Sequence, residues 1–323
     1  MTAPVLVLGD INVDALLAIP AYPAPGGDAL ATRSTIRAGG SASNTASVLA
    51  KLGLAPHLLA RAGQDAWGDL ALAELGAAGV QTEAVQRDAA AATGLFVIPV
   101  TPDGERTMFG LRGANTRLDP AGLPPALFAE ARWLHLSGYA LLEAPQREAA
   151  LRAVDLAARH GVPISLDSGR PPAQQAGALI RTLLPRLALC VLDDAAARAL
   201  TGAADPEAAA ETLTAAGVGL VGLTLGAAGG LLRAGADTVR QPAFPVAVAD
   251  TTGAGDAFSA GLIYARLRGL SLPAAAALAA ALGALAVQVW GAGPALPGGA
   301  EAAAFLRGQT GAPAAEALAG LVY

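Results

Sequence analysis

The sequence predicts an α/β fold with a doubly wound, mostly parallel central sheet and helices on both faces, and three observations carry that prediction. The run Val5-Leu6-Val7-Leu8, closed by Gly9, is short and continuously apolar, as a strand covered on both faces must be. From Trp133 onward, strand-like and helix-like segments alternate, which is the pattern of parallel strands joined by helical crossovers. Polar residues gather directly after the first strand, at Asp10, Asn12 and Asp14, where open α/β sheets place ligand-binding groups.

Taken in order, Ile19 to Arg37 is rich in Pro and Gly, shows no helical period and reads as an excursion from the sheet. Gly39-Gly40-Ser41-Ala42-Ser43-Asn44 leads into a helix over Thr45 to Leu52, closed by Gly53. Thr93 to Val100 predicts a strand, Pro102-Asp103-Gly104-Glu105 a turn and Arg106 to Leu111 the returning strand, a second excursion that pairs with the first. Then come strands at Trp133–Leu136, Pro163–Asp167 and Ala188–Leu192, with a helix from Pro145 to His160. An apolar run at Leu220–Leu225, a hairpin over Gly230–Val239 and a short segment Val246–Val248 precede two long helices. No repeat of fixed period interrupts the chain, so residues 1–323 are expected to form one domain.

Composition narrows the function. Hydrophobic residues make up 54% and charged residues 15%, with a net charge of -5, so no basic surface announces nucleic acid and small molecules are the expected partners. Lys51 is the only lysine, which excludes a phosphate loop ending in Gly-Lys-Ser/Thr. Cys190 is the only cysteine and lies in a strand-like run, where a buried structural thiol is expected. The start lacks a basic, signal-like segment, giving the cytoplasm as the expected address. The apolar run Ala274–Val287 is shorter than the ~20 residues a bilayer requires and reads as a buried helix. His57, His135 and His160 have no metal-ligand spacing and read as structural.

The strongest chemical signal is Asp250-Thr251-Thr252-Gly253-Ala254-Gly255-Asp256, just before an expected helix at Ala257–Leu262. Glycines allow close backbone approach, and a helix start offers unpaired N–H groups and the positive end of the dipole, which suits an anion. A carboxylate at Asp256 beside that anion site can accept the proton of an attacking hydroxyl during phosphoryl transfer. The plain alternative is that Asp256 caps the helix.

The stretch Asp250 to Phe258 closely resembles the C-terminal signature of the ribokinase-like (PfkB) carbohydrate kinases, and Gly39 to Asn44 resembles their N-terminal one. Gly9-Asp10-Ile11-Asn12-Val13-Asp14 is similar to the first-strand substrate motif, Gly113-Ala114-Asn115 to a segment near the lid, and Thr224 to Gly230 to the nucleotide loop. The resemblance spans nearly the whole chain. It implies a Rossmann-like sheet with a small β lid, here about 12–38 and 92–115, which closes over a sugar and excludes water.

Carried over by position, Asp256 is the base and Gly253, Ala254 and Gly255 form the anion hole. Asp14, Gly39, Gly40 and Asn44, supported by Asn12, contact the substrate, and Asp193, Thr224, Gly226, Gly229 and Thr252 serve ATP. Mg²⁺ travels with ATP rather than in a protein cage. In some relatives a monovalent cation, K⁺, binds near positions matching Asp250, Thr252 and the Gly291 loop; Ala295 stands where a ligand hydroxyl is expected. An Asn-x-x-Glu motif of many relatives appears as Asp193 and Ala196, with Asp194 adjacent, which puts Mg²⁺ or phosphate control in question. Ribokinase proper carries a lysine where Ser41 stands, so ribose is not the automatic substrate.

Arg112 reads either as a bidentate partner for a substrate carboxylate, as in a sugar acid, or as a surface arginine. Asp167 and Arg170 either line the cleft or pair with each other. The expected activity is ATP-dependent phosphorylation of a pentose, hexose or sugar acid. A nucleoside kinase is the rival within the family, disfavoured by the thin aromatic supply of Tyr22, Phe96 and Phe109. A noncatalytic sugar-binding regulator and a nicotinamide oxidoreductase rank lower, the last because Gly9-Asp10-Ile11-Asn12 is not a dinucleotide fingerprint. Lid strands with open edges predict a homodimer.

Overall fold

A computed structural model describes residues 3–321. Its strands are β1 (Val5–Leu8), β2 (Asn12–Ala18), β3 (Arg33–Gly39), β4 (Pro56–Leu59), β5 (Arg61–Gly63), β6 (Gln86–Asp88) and β7 (Gly94–Val100). They continue with β8 (Phe109–Leu111), β9 (Trp133–Ser137), β10 (Ile164–Ser168), β11 (Leu189–Asp193), β12 (Val221–Thr224), β13 (Gly230–Ala234) and β14 (Asp237–Gln241).

The main sheet has eight strands in the order β14-β13-β12-β11-β10-β9-β1-β4. Pairing is parallel from β4 to β12 and antiparallel only at the edge formed by β13 and β14. Every residue of β1 is fully buried, because helices cover both faces. Alternation divides the strand between two cores: Val5 and Val7 pack with helices Ser41–Lys51, Ala254–Arg268 and Leu272–Ala286, whereas Leu6 and Leu8 face the opposite layer, which includes Gln146–Arg159. The last two long helices are alanine-rich and cross closely, since a Cβ on Gly261 would lie 2.9 Å from the Cα of Ala279. Among the described residues, no helix is long and apolar enough to cross a membrane.

A second sheet, ordered β3-β2-β7-β8, takes β3, β7 and β8 from the two expected excursions and β2 from the segment just before the first of them. In it β2 pairs with β3 antiparallel and with β7 parallel, so segments about 80 residues apart meet edge to edge. A short pair, β5 with β6, makes a third sheet.

Four expectations need correction. The returning strand is limited to Phe109–Leu111, because Arg106 makes only an isolated bridge to Val100 and side-chain bonds from Thr101 to Asp103 shape the turn. Val246–Val248 forms no strand; it belongs to an irregular crossing that delivers the chain to the next helix. That helix starts at Ala254 rather than Ala257, placing Asp256 inside its first turn. The earlier helix likewise starts at Ser41, directly after the glycine pair, rather than at Thr45. Cys190 is buried, and burial pushes its thiol up to about 12, where it remains protonated and inert.

Candidate active site

The carboxyl ends of the parallel strands open onto one cleft. A cavity of about 240 Å³ there is lined by Gly40, Asn44 and Asp256, by Asn12, Asp14 and Phe96 of the second sheet, and by Met108 just before β8. A neighbouring cavity of about 680 Å³ is apolar, with Phe244, Val246, Val248 and Ala284 on its walls and Gly226 and Gly229 at its border. Both cavities touch Thr224, Thr251 and Gly255. The helix start at Gly253–Gly255 therefore stands at the junction of a polar chamber and an apolar one.

Asp256 is held by residues more than 200 positions away. Ser41 Oγ donates to Asp256 Oδ1 at 2.7 Å, and Asn44 Nδ2 donates to Oδ2 at 2.7 Å. Asn44 is fixed in turn, because its Oδ1 accepts from the Gly293 amide at 2.8 Å. The glycine pair makes this approach sterically feasible. A Cβ on Gly40, whose φ is 96°, would lie 2.5 Å from the Asp10 carbonyl oxygen, and one on Gly39 would lie 2.0 Å from Asp14 Oδ2. Glycine at both places lets the helix start and the Asp14 carboxylate share one corner.

Electrostatics prepare these carboxylates for proton transfer. Burial raises the Asp256 pKa, while the hydrogen bonds from Asn44 and Ser41, and the charge of Arg106, pull it back. Asp14 is pushed up to about 7, mainly by burial and further by the charges of Asp256 and Asp250. Asp167 also rises to about 7, from burial and then from Asp256, although it accepts a 2.5 Å bond from Ser259 Oγ. A buried carboxylate shifted toward neutrality, within reach of a cavity that admits a hydroxyl compound, can serve as a general base.

The helix at Ala254–Arg268 starts without the side-chain cap that four other helices carry. Asp65, Asp193, Asp205 and Ser271 cap their helices with side-chain oxygens, whereas Gly253, at φ 79°, supplies none. The Ala254 amide reaches the Thr251 carbonyl at 3.5 Å, Gly253 and Gly255 line the smaller cavity, and the helix start brings the positive end of the dipole there. A Cβ on Gly255 would meet no protein atom within 4 Å, so glycine keeps that space open for another molecule.

The remaining predicted positions fall as follows. Asn12 Oδ1 accepts from Asn115 Nδ2 at 2.8 Å while its residue lines the smaller cavity, as do Asp193 and Thr252. Gly39 does not line it but makes room for Asp14. Asp193 accepts from the Ala196 amide at 2.6 Å and the Arg170 amide at 3.2 Å, so a carboxylate and two amides occupy the corner expected for Asn-x-x-Glu. Asp194 instead pairs with Arg198 on its own helix at 3.0 Å. Gly229 must be glycine for backbone reasons alone, since its Cβ would lie 2.1 Å from the Gln241 carbonyl oxygen at φ 92°. Near the expected K⁺ position, the Asp250 carboxylate accepts from the Thr252 amide and hydroxyl and from the Gly291 amide, clamping two loops.

Arg112 is not available to a substrate carboxylate. Its Nε and Nη2 each donate to Asp10 at 3.0 Å, and Nη1 donates to Glu143 at 3.2 Å. The buried Asp10 demands a partner, and a planar guanidinium satisfies both of its oxygens. Asp167 and Arg170 do not pair either, the acid being taken by Ser259. Several residues of the cleft carry no local signal in the sequence: Tyr139, Arg106 and Met108 reach it only through tertiary structure. Ser41 lay within a recognised motif, but its bond to Asp256 did not show there.

A buried carboxylate beside an uncapped helix start, between a polar and an apolar chamber, suits a phosphotransferase acting on a small hydroxyl compound. The comparisons with known proteins agree. The family model of the pfkB family carbohydrate kinases matches residues 3–298. The chain is 34% identical to a fructokinase of Klebsiella pneumoniae, covering 92% of this chain and 97% of that protein. It is 30% identical to an aminoimidazole riboside kinase of Salmonella typhimurium, over 80% of this chain and 84% of the relative. The structure of Arabidopsis thaliana ribokinase complexed with ribose and ATP superposes with a TM-score of 0.80 at 27% identity, covering 96% of this chain and all of that one. The chain belongs to the pfkB family of carbohydrate kinases and is an ATP-dependent enzyme of that class.

Proposed function

We propose that this kinase transfers the γ-phosphate of ATP to a hydroxyl of a small neutral sugar, a ketohexose or pentose. The observation that carries the reading is the pair of bonds from Ser41 and Asn44 to Asp256, which joins the sugar-motif helix directly to the base. In this mechanism the acceptor hydroxyl gives its proton to Asp256 as its oxygen bonds to the γ-phosphorus. The bond from that phosphorus to the bridging oxygen breaks, and ADP leaves with the electron pair. The amides of Gly253 to Gly255 face the charge that develops on the phosphoryl oxygens. Asn12, Asp14, Gly40 and Asn44 orient the sugar hydroxyls, with Gly39 making room for Asp14.

ATP fits the paired chambers. The apolar walls near Phe244 and Val248 suit a purine, and the open spaces beside Gly226 and Gly255 leave room for phosphates. Among the described residues, no group of three or more His, Cys, Asp or Glu side chains is placed to hold a metal ion. In this reading Mg²⁺ arrives with the triphosphate and neutralises its charge, with Asp193, which lines the smaller cavity, as acidic support. K⁺ belongs to the same reading as an activator held beside Asp250 and Thr252, with no side-chain ligand from Ala295; titration with KCl against NaCl checks it.

The second sheet, over 12–38 and 92–115, acts as a lid that shuts water out of the smaller cavity. Its exposed Ile36, Phe109 and Leu111 suit a homodimer contact, and a monomer mass by light scattering would refute that. A sugar acid is disfavoured because Arg112 is engaged with Asp10. A nucleoside acceptor is the second reading: Phe96 and Met108 line the cavity, Phe96 being seated over Gly110, and one relative is an aminoimidazole riboside kinase. The test is ATP consumption with Mg²⁺ across ketohexoses, pentoses, sugar acids and nucleosides. Turnover on free neutral sugars is the expected result, and turnover confined to nucleosides or sugar acids would overturn the acceptor assignment.

A further inference from the structure

The helix Ser41–Lys51 carries the only lysine of the chain as its last residue. Ser41, Asn44, Val48 and Lys51 follow one another at intervals of three and four, so they form one stripe along the helix, with Lys51 two turns, about 10 Å, beyond Asn44. From this stripe Ser41 and Asn44 reach Asp256, whereas Lys51 turns to another segment. Its Nζ donates at 2.7 Å to the carbonyl of Pro294 and at 2.7 Å to that of Leu296, and it makes no ion pair among the described residues. Bonds from an ammonium are charge-assisted and hold backbone carbonyls more firmly than neutral donors do.

The loop so held, residues 291–296, touches both halves of the proposed catalytic centre. The Gly293 amide donates to Asn44 Oδ1 at 2.8 Å, behind the bond from Asn44 to Asp256. The buried Leu296 packs beneath the helix start, since a Cβ on Gly253 would lie 3.0 Å from both of its methyl carbons and 3.5 Å from the Cβ of Ala292. At its near end the Gly291 amide donates to Asp250 at 3.1 Å. From within, the loop has short-range backbone bonds, Ala295 to Ala292 at 3.2 Å and Leu296 to Gly293 at 3.1 Å, so its far end depends on the lysine.

We propose that Lys51 is a positioning residue for phosphotransfer. By holding the carbonyls of Pro294 and Leu296 it keeps the loop seated, and the seated loop aligns Asn44 with Asp256 and supports Gly253 at the anion site. Lys51 lines neither cavity, so it acts through these neighbours and touches no substrate. One side-chain charge, at the opposite end of the helix from the glycine pair, thereby sets the geometry of base and helix start together. The inference rests on the base and anion site proposed above and not on which sugar is the acceptor.

The test compares Lys51→Met, which removes the donors and keeps an unbranched stem, with Lys51→Arg, Asn44→Ala and the double variant Asn44→Ala/Lys51→Met. Thermal unfolding establishes that each is folded, and Lys51→Gln takes the place of Lys51→Met if that variant is not. With an acceptor from the panel, Lys51→Met is expected to lower kcat about ten- to thirtyfold, the scale of a misaligned catalytic group, while the KM values for ATP and acceptor move less than about threefold. Lys51→Arg should stay within about threefold of the unaltered enzyme, because a guanidinium can donate to both carbonyls. The double variant should lose no more than about threefold beyond Asn44→Ala alone, since both substitutions act through the same loop. Without acceptor or nucleotide, a ¹³C NMR titration of the Asp256 carboxyl, assigned against Asp256→Asn, is expected to move to higher pH in Lys51→Met, because the Asn44 bond that lowers its pKa is loosened. That arm reads the alignment even if every sugar in the panel is inert. An unchanged kcat, losses that multiply in the double variant, or an Asp256 titration that stays in place would each overturn the proposal.

Discussion

Two helices start at the rim of the same cleft and treat their free amides in opposite ways. The one at Asp194–Thr201 is closed by its own Asp193, whose carboxylate takes the Ala196 amide at 2.6 Å. The one at Ala254–Arg268 begins at a glycine with no side chain to offer, and places its acid, Asp256, inside the first turn, where Ser41 and Asn44 engage it. The first arrangement spends its capping group on stability. The second goes without a side-chain cap worth ~1 kcal/mol and holds a buried carboxylate above its ordinary pKa, the arrangement the proposed base and anion site require. Asp65, Asp205 and Ser271 follow the first pattern, while Ser41–Lys51 and Gln146–Arg159 also start without a side-chain cap, so what sets the Ala254 start apart is its place on the cleft with Asp256 in its first turn.

The comparison can be broken most severely at Asn44. Asn44→Ala removes the bond to Asp256 and the tether to Gly293, and is expected to lower kcat by about 10²-fold through misplacement of the base, measured in steady-state kinetics. Gly255→Ala should raise the KM for ATP about tenfold, ~1.4 kcal/mol, with an unchanged or higher Tm, because its methyl group meets no protein atom and can only obstruct a ligand. Gly40→Ala would not separate the two effects, since its Cβ clashes with backbone.

Asp167 sharpens the stability side. Its folded pKa of about 7 lies above the ~3.9 of an unfolded aspartate, so the folded state favours the protonated form. The stability tied to that proton is full below about pH 4 and is lost as pH rises through about 7. Asp167→Asn, neutral at every pH, should therefore raise Tm by a few degrees at pH 8 and hardly at all at pH 4; thermal unfolding at the two pH values decides it. The smallest effect belongs to a capped helix away from the cleft. Asp205→Ala should cost ~1 kcal/mol in denaturant unfolding, by exposing the Ala208 amide it now binds, and leave kcat unaltered.

What could be read in the sequence was what depends on local pattern. The apolar β1, the alternation after Trp133 and the two glycine-bearing motifs follow from periodicity and backbone permissiveness, and the central sheet formed from them as expected. What escaped was pairing between distant side chains. Arg112 looked free because its partner, Asp10, lies 102 positions earlier, and a buried carboxylate attracts whichever guanidinium the tertiary structure brings near. Arg106 was read only as the start of the returning strand for the same reason, its partner Thr251 lying 145 positions later. Helix starts were misplaced by four residues at the first motif and three at the second, because glycine caps carry no side-chain signal and the helix hydrogen bonds begin before the apolar period does.

The most direct test of the central claim is single-turnover phosphotransfer by Asp256→Asn beside the unaltered enzyme, with ATP affinity measured in parallel. The substitution keeps an acceptor for Ser41 and removes the proton-accepting carboxylate. The account predicts ATP binding within about threefold and a transfer rate lower by on the order of 10²–10⁴-fold. A rate within about twofold of the unaltered enzyme would contradict it and assign the base elsewhere in the cleft.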